Sequence, residues 1–336
     1  PYVQALLSEL DWAVSQLGHR RVTTVFFGGG TPSLLPIDDF RRIMTAIRNR
    51  FEFDPDAEVT TEANPESVDE AGLNQWREMG INRLSLGMQS SVPDVLRVLD
   101  RVHTPGRVQQ CLRWARAAGF DDVSLDLIYG APGESMGDWS ASLAAAVAME
   151  PDHVSAYSLI VEEGTPLARR IARGELASPD DDEVADKYLL TEEVLNAAGF
   201  RWYEVSNWAR CGHECRHNLA YWRSKDWWGL GAGAHSHVGH VRWWNQRRPA
   251  SYVAAMAADH RPSGQEELTV EQVRVEQIML GARLAQGFEL GLLNPAEVVR
   301  AEQFERSGHL RRLNGRLACT LPGRLIADGI VREILD

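Results

Sequence analysis

The chain has 336 residues, which allows about two domains, and its 44% hydrophobic and 24% charged residues are typical of globular proteins. Its 35 basic and 47 acidic residues give a net charge of −12, which argues against a nucleic-acid-binding surface. Four cysteines are too few for a disulfide scaffold and favour a reducing compartment, so we expect a cytoplasmic location. No apolar run approaches the roughly 18 residues of a membrane span, and the first residues do not resemble a signal peptide.

Short apolar strands alternate with amphipathic helices along the first two-thirds of the chain. We predict a first helix over about residues 3–17 and further helices that begin at Ser67, at Thr104-Pro105 and after Asp180. The predicted strands are Val22–Phe27, Glu58–Glu62, Arg83–Met88, Val123–Ile128, His153–Leu159 and Arg201–Ser206. Near the C-terminus we predict, in order, a helix from Thr269, a strand at Leu317–Thr320, a turn at Pro322-Gly323 and a helix over Leu325–Ile334.

Strands separated by helices in this order predict a parallel sheet, either a barrel or a doubly wound sheet. The pattern changes near residue 245, which predicts an α/β domain over residues 1–206, a connecting segment over residues 207–245 and a small, mainly helical domain over residues 246–336. Because a parallel barrel normally begins with a strand and this chain begins with a helix, we expect one further strand upstream of Pro1.

Polar residues follow or interrupt four successive strands. These are Gly28-Gly29-Gly30 after the first strand, Glu62 at the end of the second, Gln89 after the third and Asp126 within the fourth. In a barrel such strand ends form one rim, where an active site is expected. The third strand also places Arg83, Ser85, Gly87 and Gln89 on one face. A ligand or an internal hydrogen-bond network must satisfy such a buried polar face, and a tight turn would equally explain the glycines.

Residues 202–244 hold seven of the 11 tryptophans, five of the 10 histidines and two of the four cysteines. Core packing is the default explanation for clustered tryptophans. The segment Cys211–His217 contains good zinc or iron ligands, but no second cluster at zinc-finger spacing follows, so we assign no metal ligand in this chain. Gly229–Ala234 lacks the glycine spacing and the strand–loop–helix context of a dinucleotide-binding loop.

Six motifs, in order along the chain, resemble those of the radical S-adenosylmethionine (SAM) enzymes, specifically the family around oxygen-independent coproporphyrinogen III oxidase. They are GGGTPS at Gly28–Ser33, EANP at Glu62–Pro65, RLSLGMQS at Arg83–Ser90, Arg101 with His103, DLIYGAPG at Asp126–Gly133 and YEVSN at Tyr203–Asn207. In addition, HNLAYW at His217–Trp222 is similar to the HNxxYW signature of the HemW branch, whose members are haem chaperones.

The resemblance implies an α/β fold, a partial (β/α)6 radical SAM barrel whose first strand lies upstream, with a small, mainly helical C-terminal domain. It implies that SAM is bound by Gly29, Gly30, Thr31, Glu62, Gln89, Arg101 and Asp126. Arg101 is suited to the SAM carboxylate through a charge-assisted hydrogen bond. It also implies that haem is contacted by His217, Asn218, Tyr221 and Trp222. His217 is the leading candidate, because imidazole is a normal axial ligand of haem iron.

The family holds a [4Fe–4S] cluster through a CxxxCxxC motif after its first barrel strand, and this sequence does not contain that motif. Cys211 and Cys215 have a suitable spacing, but Asn218 stands where the third cysteine would be. We therefore expect the motif just upstream of Pro1, together with the further strand. By itself this chain is not expected to hold the cluster or to cleave SAM.

The function implied by the resemblance is that of a haem chaperone, which binds haem and transfers it to acceptor proteins, with membrane-associated proteins among the candidates. The alternative is oxygen-independent coproporphyrinogen III oxidase, an enzyme that decarboxylates propionate side chains with a SAM-derived radical. A barrel that binds a phosphate ligand at its glycine loop ranks last, since only Arg101 is a basic residue suited to that loop. We predict neither a nucleic-acid partner nor an integral membrane protein.

Overall fold

The computed structural model describes residues 1–101, 103–258 and 262–336. The chain forms two compact units. Unit 1 comprises Pro1–Val25, Pro36–Ala57 and Cys215–Asp336, and unit 2 comprises Phe26–Leu35 and Glu58–Glu214. Among the described residues, no helix combines the length and the apolar character that crossing a membrane requires.

Helices and strands alternate up to about residue 210. In chain order they are α1 (Tyr2–Leu17), β1 (Arg21–Phe27), α2 (Ile37–Arg50), β2 (Glu52–Ala63), α3 (Glu70–Glu78), β3 (Arg83–Gln89), α4 (Pro93–Val98), α5 (Arg107–Ala117), β4 (Asp122–Tyr129), α6 (Met136–Ala148), β5 (His153–Ser158), α7 (Pro166–Ala172), α8 (Asp181–Ala197), β6 (Arg201–Glu204) and β7 (Asn207–Ala209). Each of the six predicted strands is present, with ends that differ from the prediction by at most two residues, except that β2 begins six residues earlier than predicted.

The elements after residue 210 are shorter. They are α9 (Arg216–Trp222), β8 (His235–Val238), β9 (Val241–Trp244), α10 (Pro249–Ala257), β10 (Gly264–Glu267), α11 (Val270–Gly281), β11 (Phe288–Glu289), α12 (Pro295–Arg306), β12 (Leu310–Leu313), β13 (Arg316–Cys319), α13 (Leu321–Leu325) and α14 (Ala327–Leu335). Single turns of 3-10 helix occur at Pro32–Leu34, Pro65–Ser67 and Leu290–Leu292.

The main sheet has seven strands in the order β1-β2-β3-β4-β5-β7-β6. Strands β2 to β5 pair in parallel, as predicted from the alternation of strands and helices. The last two strands differ from that pattern, since β7 pairs antiparallel with both β5 and β6. The segment predicted as one strand, Arg201–Ser206, therefore ends at Glu204 and turns into a hairpin.

Two predicted helix starts are wrong for the same physical reason. The Ser67 hydroxyl is engaged by Ser33 at 2.5 Å and by the Asn64 carbonyl, so Asp69 caps α3 instead. The Thr104 backbone N–H and hydroxyl both donate to the Glu66 carboxylate, at 2.7 and 3.0 Å. Helix α5 consequently begins at Arg107, after a glycine in the left-handed region. In both cases a partner from another loop satisfies the residue that the sequence alone predicts to be a cap.

The C-terminal part of unit 1 combines helices with a small sheet, in the order β11-β13-β12. Ile278, Phe288, Leu317 and Ile334 are fully buried between them. The capping box predicted at Thr269 is confirmed, with both of its reciprocal hydrogen bonds formed. The turn predicted at Pro322-Gly323 is wrong, because these residues lie inside α13, whose first turn is capped by Thr320.

Candidate functional site at the strand ends

The parallel register aligns the polar residues of neighbouring strands in unit 2. Glu62 on β2 pairs with Ser85 on β3, and Gly87 on β3 pairs with Asp126 on β4. The apolar residues of β3, Leu84, Leu86 and Met88, are at most 2% exposed, which confirms the predicted apolar face. The period of two along each strand thus brings the polar positions together at one sheet face.

The glycine loop after β1 contacts Glu62 directly. Gly29 and Gly30 have φ values of 78° and 58°, which a residue with a side chain adopts only with strain. The Gly29 backbone N–H donates to Glu62 Oε2 at 3.2 Å. A side chain at Gly28 would stand 2.6 Å from the Phe26 ring and 3.2 Å from Glu62 Oε1. The loop is therefore more than a tight turn, since it also positions a carboxylate.

Serine hydroxyls orient the Asp126 carboxylate. Ser85 Oγ lies 2.8 Å from both carboxylate oxygens, and Ser124 Oγ lies 3.3 Å from one of them. Burial raises the pKa of Asp126, while hydrogen bonds from Ser85 and Ser155 act in the opposite direction. The pKa of Glu62 is also raised, mainly by burial and further by the charge of Asp126. Two partly desolvated carboxylates that disfavour each other's charge are suited to a cationic ligand group.

Gln89 ends β3 in a strained conformation. Its φ of 64° lies in the left-handed region, and the register to β4 shifts between Gly87 and Gln89. The Gln89 amide occupies the space that a side chain at Gly87 would need, since a Cβ there would lie 2.7 Å from Nε2. Strain of this kind, held in place by its surroundings, is typical of functional sites.

Arg101 and Thr31 show fewer contacts. Arg101 is exposed after α4, and in the described part of the chain its side chain forms no hydrogen bond or ion pair. Burial lowers the pKa of the neighbouring His103, Glu66 opposes that effect, and Arg101 adds to it. Thr31 precedes a 3-10 turn without a side-chain cap. The predicted SAM roles of both residues stay predictions.

Part of the polar face is satisfied by the protein itself. The buried Arg83 guanidinium donates to Asp122 Oδ1 and to the His213 carbonyl, both at 3.0 Å. His153 bridges Ser124 and Tyr203, with 2.8 Å on each side, and burial lowers its pKa well below the usual range. Ser124, His153 and Ser155 were not predicted from the sequence to be polar residues inside the sheet. Their alternation with apolar residues in β4 and β5 is the signal that would have found them.

Among the described residues, the cysteine- and histidine-rich segment contributes His213 to a group of possible metal ligands. His213 Nδ1 lies 2.8 Å from Asp122 Oδ1, and with Asp152 these residues form a group whose ligand atoms lie within 4.8 Å of one another. Arg83 pairs with Asp122 and Arg116 pairs with Asp152, so arginines already neutralise both carboxylates. The chain's remaining thiols are no better suited, because burial raises the pKa of Cys111 and Cys319 to about 11.

Helix α9 in unit 1 carries HNLAYW, and both nitrogens of its histidine are engaged. His217 Nδ1 lies 2.8 Å from Thr24 Oγ1, and Nε2 lies 2.8 Å from the Tyr221 hydroxyl. The Tyr221 ring is 38% exposed and meets Trp227 edge-on at 4.8 Å. Asn218 is half-buried on the same helix. The structure thus groups His217 and Tyr221 in an aromatic cluster, whereas Trp222 lines a separate cavity.

The other tryptophans of the crowded segment are divided between core and surface. Trp208 is fully buried and donates to Glu192 at 2.8 Å, and Trp202 and Trp243 are nearly buried. Trp12 of α1 meets Trp228 at 4.8 Å, and Trp228 meets Trp243 at 4.7 Å, all edge-on. Core packing therefore explains several tryptophans and leaves the half-buried Trp222, Trp227 and Trp244 as candidates for ligand contact.

Comparisons with known proteins agree with these motifs. The model of the radical SAM superfamily matches residues 7–146. The chain is 49% identical over 335 residues to the heme chaperone HemW of Mycobacterium tuberculosis (strain H37Rv), covering 99% of this chain and 86% of that protein. It is 34% identical to the heme chaperone HemW of Bacillus subtilis, covering 85% and 76%. Among solved structures it is similar to coproporphyrinogen III oxidase (HemN) of Escherichia coli, with a TM-score of 0.86 and 22% identity over 99% of this chain and 82% of that one. At this level of identity, the similarity to the solved structure shows the fold of the chain.

Proposed function

Because this chain belongs to the HemW family of the radical SAM superfamily, we propose that it is a haem chaperone, which binds haem at α9 and passes it to acceptor proteins. The observation that carries the proposal is His217, which lies on a helix with the half-exposed Tyr221, whose ring in turn meets Trp227. An imidazole among exposed aromatic rings offers both an iron ligand and flat apolar surface for a macrocycle. A shared fold alone does not distinguish a haem chaperone from an oxidase, whereas the segment HNLAYW on α9 favours the chaperone.

The hydrogen bonds of His217 are compatible with Nε2 as the iron ligand. If Nδ1–H donates to Thr24, Nε2 keeps the lone pair, to which the Tyr221 hydroxyl donates. Histidines that bind metals commonly donate their other ring N–H to a neighbouring acceptor, which fixes the tautomer. Haem binding would then require Tyr221 to give up one hydrogen bond, and its exposed ring has room to move.

We expect His217→Ala to weaken haem binding at least about tenfold, because the axial ligand is lost. Thr24→Val should weaken it by about 10-fold, since removing the partner of a metal-binding histidine typically costs 10- to 100-fold. The measurement is a haem titration followed by the Soret absorbance. His240→Ala, at an exposed hairpin position in the same unit, is the matched control and should bind like the wild type. Wild-type affinity in His217→Ala would remove this residue from the site.

We further propose that the strand ends hold SAM. Backbone groups of Gly29 and Gly30 and the carboxylates of Glu62 and Asp126 would bind its cationic amino-acid end, with Gln89 beside them. Thr31 and Arg101 complete the set, Arg101 toward the SAM carboxylate. SAM supplies a methyl sulfonium and, with a reducing cluster, a radical. The chain's cysteines do not fit a CxxxCxxC cluster site, so the site described here is assigned binding alone.

The pH dependence of SAM binding tests the role of Glu62. We expect Glu62→Gln to weaken binding about tenfold near pH 7.5, as for the loss of a charged hydrogen bond. Because burial raises the pKa of Glu62, its carboxylate becomes protonated at a higher pH than an exposed carboxylate does, and the wild type loses this advantage as the pH falls through that raised pKa. Calorimetric titrations of both proteins should therefore converge at low pH. The titration of SAM itself affects the wild type and Glu62→Gln equally. If the ratio of their SAM affinities does not change with pH, Glu62 is excluded as a contact.

A further inference from the structure

A cavity of about 290 Å³ lies in unit 1 beside Trp222. Its apolar walls are formed by Trp222, Leu284, Phe288 and Leu292. The buried Trp222 Nε1–H has no hydrogen-bond partner within the described part of the chain. A buried donor left without an acceptor costs about 1–3 kcal/mol, so a ligand oxygen that accepts from this indole would be favoured.

Three basic residues and one acidic residue, Glu289, line this cavity, in a chain of net charge −12. Arg223 and Lys225 line it, both are exposed, and neither side chain forms an ion pair with a described residue. Arg316 also lines it, held by Glu289 at 3.1 Å and by the Gly287 carbonyl at 2.8 Å. The cavity therefore combines a flat apolar wall with cations that are available to a carboxylate ligand.

The cavity and His217 belong to different sides of α9. Trp222 follows His217 by five residues, which is about 140° around the helix at 3.6 residues per turn. His217 contacts Tyr221 and Thr24, whereas Trp222 faces residues of α11 and β11. A ligand in the cavity would therefore not need the histidine.

We propose that this cavity is a second, metal-independent site, which binds the carboxylate-bearing edge of a flat apolar ring system. Trp222 Nε1–H would donate to a ligand oxygen, and Arg223 and Lys225 would pair with the carboxylates. The proposed function, on which the identity of the ring rests, makes that ligand a porphyrin dicarboxylate. At 290 Å³ the cavity is smaller than the roughly 300–1,000 Å³ of sites that enclose a ligand, so it takes one edge and leaves most of the macrocycle outside.

Metal-free mesoporphyrin IX, which has two carboxylates and no iron for His217, is the probe. Its binding is measured by porphyrin fluorescence anisotropy. We expect the double variant Arg223→Ala/Lys225→Ala to bind at least about tenfold more weakly than the wild type, and Trp222→Phe to bind more weakly through loss of the N–H and of part of the apolar wall. The double variant Arg41→Ala/Arg311→Ala removes the same charge at exposed positions outside the cavity and should bind normally. The dimethyl ester of the probe should bind poorly to the wild type.

His217→Ala should bind mesoporphyrin IX like the wild type. Wild-type affinity in Arg223→Ala/Lys225→Ala, or loss of mesoporphyrin binding in His217→Ala, would overturn the inference. A wild-type protein that binds haem but not mesoporphyrin would also overturn it and leave the proposed function standing. A protein that binds mesoporphyrin through these cations but does not bind haem would support the proposed cavity site and contradict the proposed function as a haem chaperone.

Discussion

Replacing Lys187 by methionine should lower the free energy of unfolding by about 3–5 kcal/mol, as expected when one partner of a buried ion pair is removed. Lys187 Nζ lies 3.5 Å from Glu134 Oε2 and donates to the Glu134 carbonyl at 2.8 Å. Their side chains are 3% and 0% exposed, so no water replaces the ammonium. Burial already raises the pKa of Glu134, and the charge of Lys187 opposes that effect.

The pH dependence of this loss has a defined sign. Without Lys187 the folded-state pKa of Glu134 rises further above its unfolded value, so the penalty is largest where the Glu134 carboxylate of the variant is ionised and disappears as the pH falls below the folded-state pKa of the wild type. Urea unfolding followed by circular dichroism measures it. Lys187→Met/Glu134→Gln should recover part of the loss, because no buried charge remains. The sequence has one other lysine, the exposed Lys225, and Lys225→Met should stay within about 0.5 kcal/mol of the wild type. Equal stability of Lys187→Met and Lys225→Met would contradict the prediction.

Features that depend on neighbouring residues can be predicted from the sequence, whereas features that depend on contacts between distant residues cannot. The strands and the apolar face of β3 follow from local periodicity, which a sequence displays directly. The wrong caps at Ser67 and Thr104 depend on Ser33 and Glu66, which other loops bring to them. The pair of Lys187 and Glu134 spans 53 residues, and nothing in the local pattern indicates it.

The candidate site shows the same division. The strand ends predict that Glu62 and Asp126 lie at one sheet face, and the resemblance to a family assigns them a ligand. The serines that orient Asp126 come from β3, β4 and β5, and only the register of the sheet brings them together. In the motif HNLAYW, the helical period turns Trp222 away from His217 around α9. The motif as a string of letters does not display this separation.

A second buried carboxylate, Glu9 in α1, supports the glycine-rich loop Gly229–Ala234, whose spacing does not fit a dinucleotide-binding loop. Glu9 is fully buried and accepts hydrogen bonds from the Gly231 backbone at 2.8 Å, from Asn245 at 2.6 Å and from the Tyr252 hydroxyl at 2.6 Å. Burial and the charge of Glu9 together raise the pKa of Tyr252 above its usual range. One carboxylate thus satisfies donors from a loop, a position just beyond β9 and a helix.

Glu9→Ala should therefore destabilise the protein by about 3 kcal/mol or more, because three buried donors lose their acceptor at about 1–3 kcal/mol each. Thermal unfolding measures the total, and hydrogen exchange of residues 229–234 localises it. Gln4→Ala, at an exposed position of the same helix, is the control and should change little. Glu9→Gln keeps one oxygen but presents an N–H to the donors, so its stability should lie between those of Glu9→Ala and Gln4→Ala. Wild-type stability and unchanged exchange in Glu9→Ala would mean that Asn245 and Tyr252 find other acceptors. Faster exchange in this loop, with haem binding retained, would show that Glu9 stabilises unit 1 without shaping the haem site.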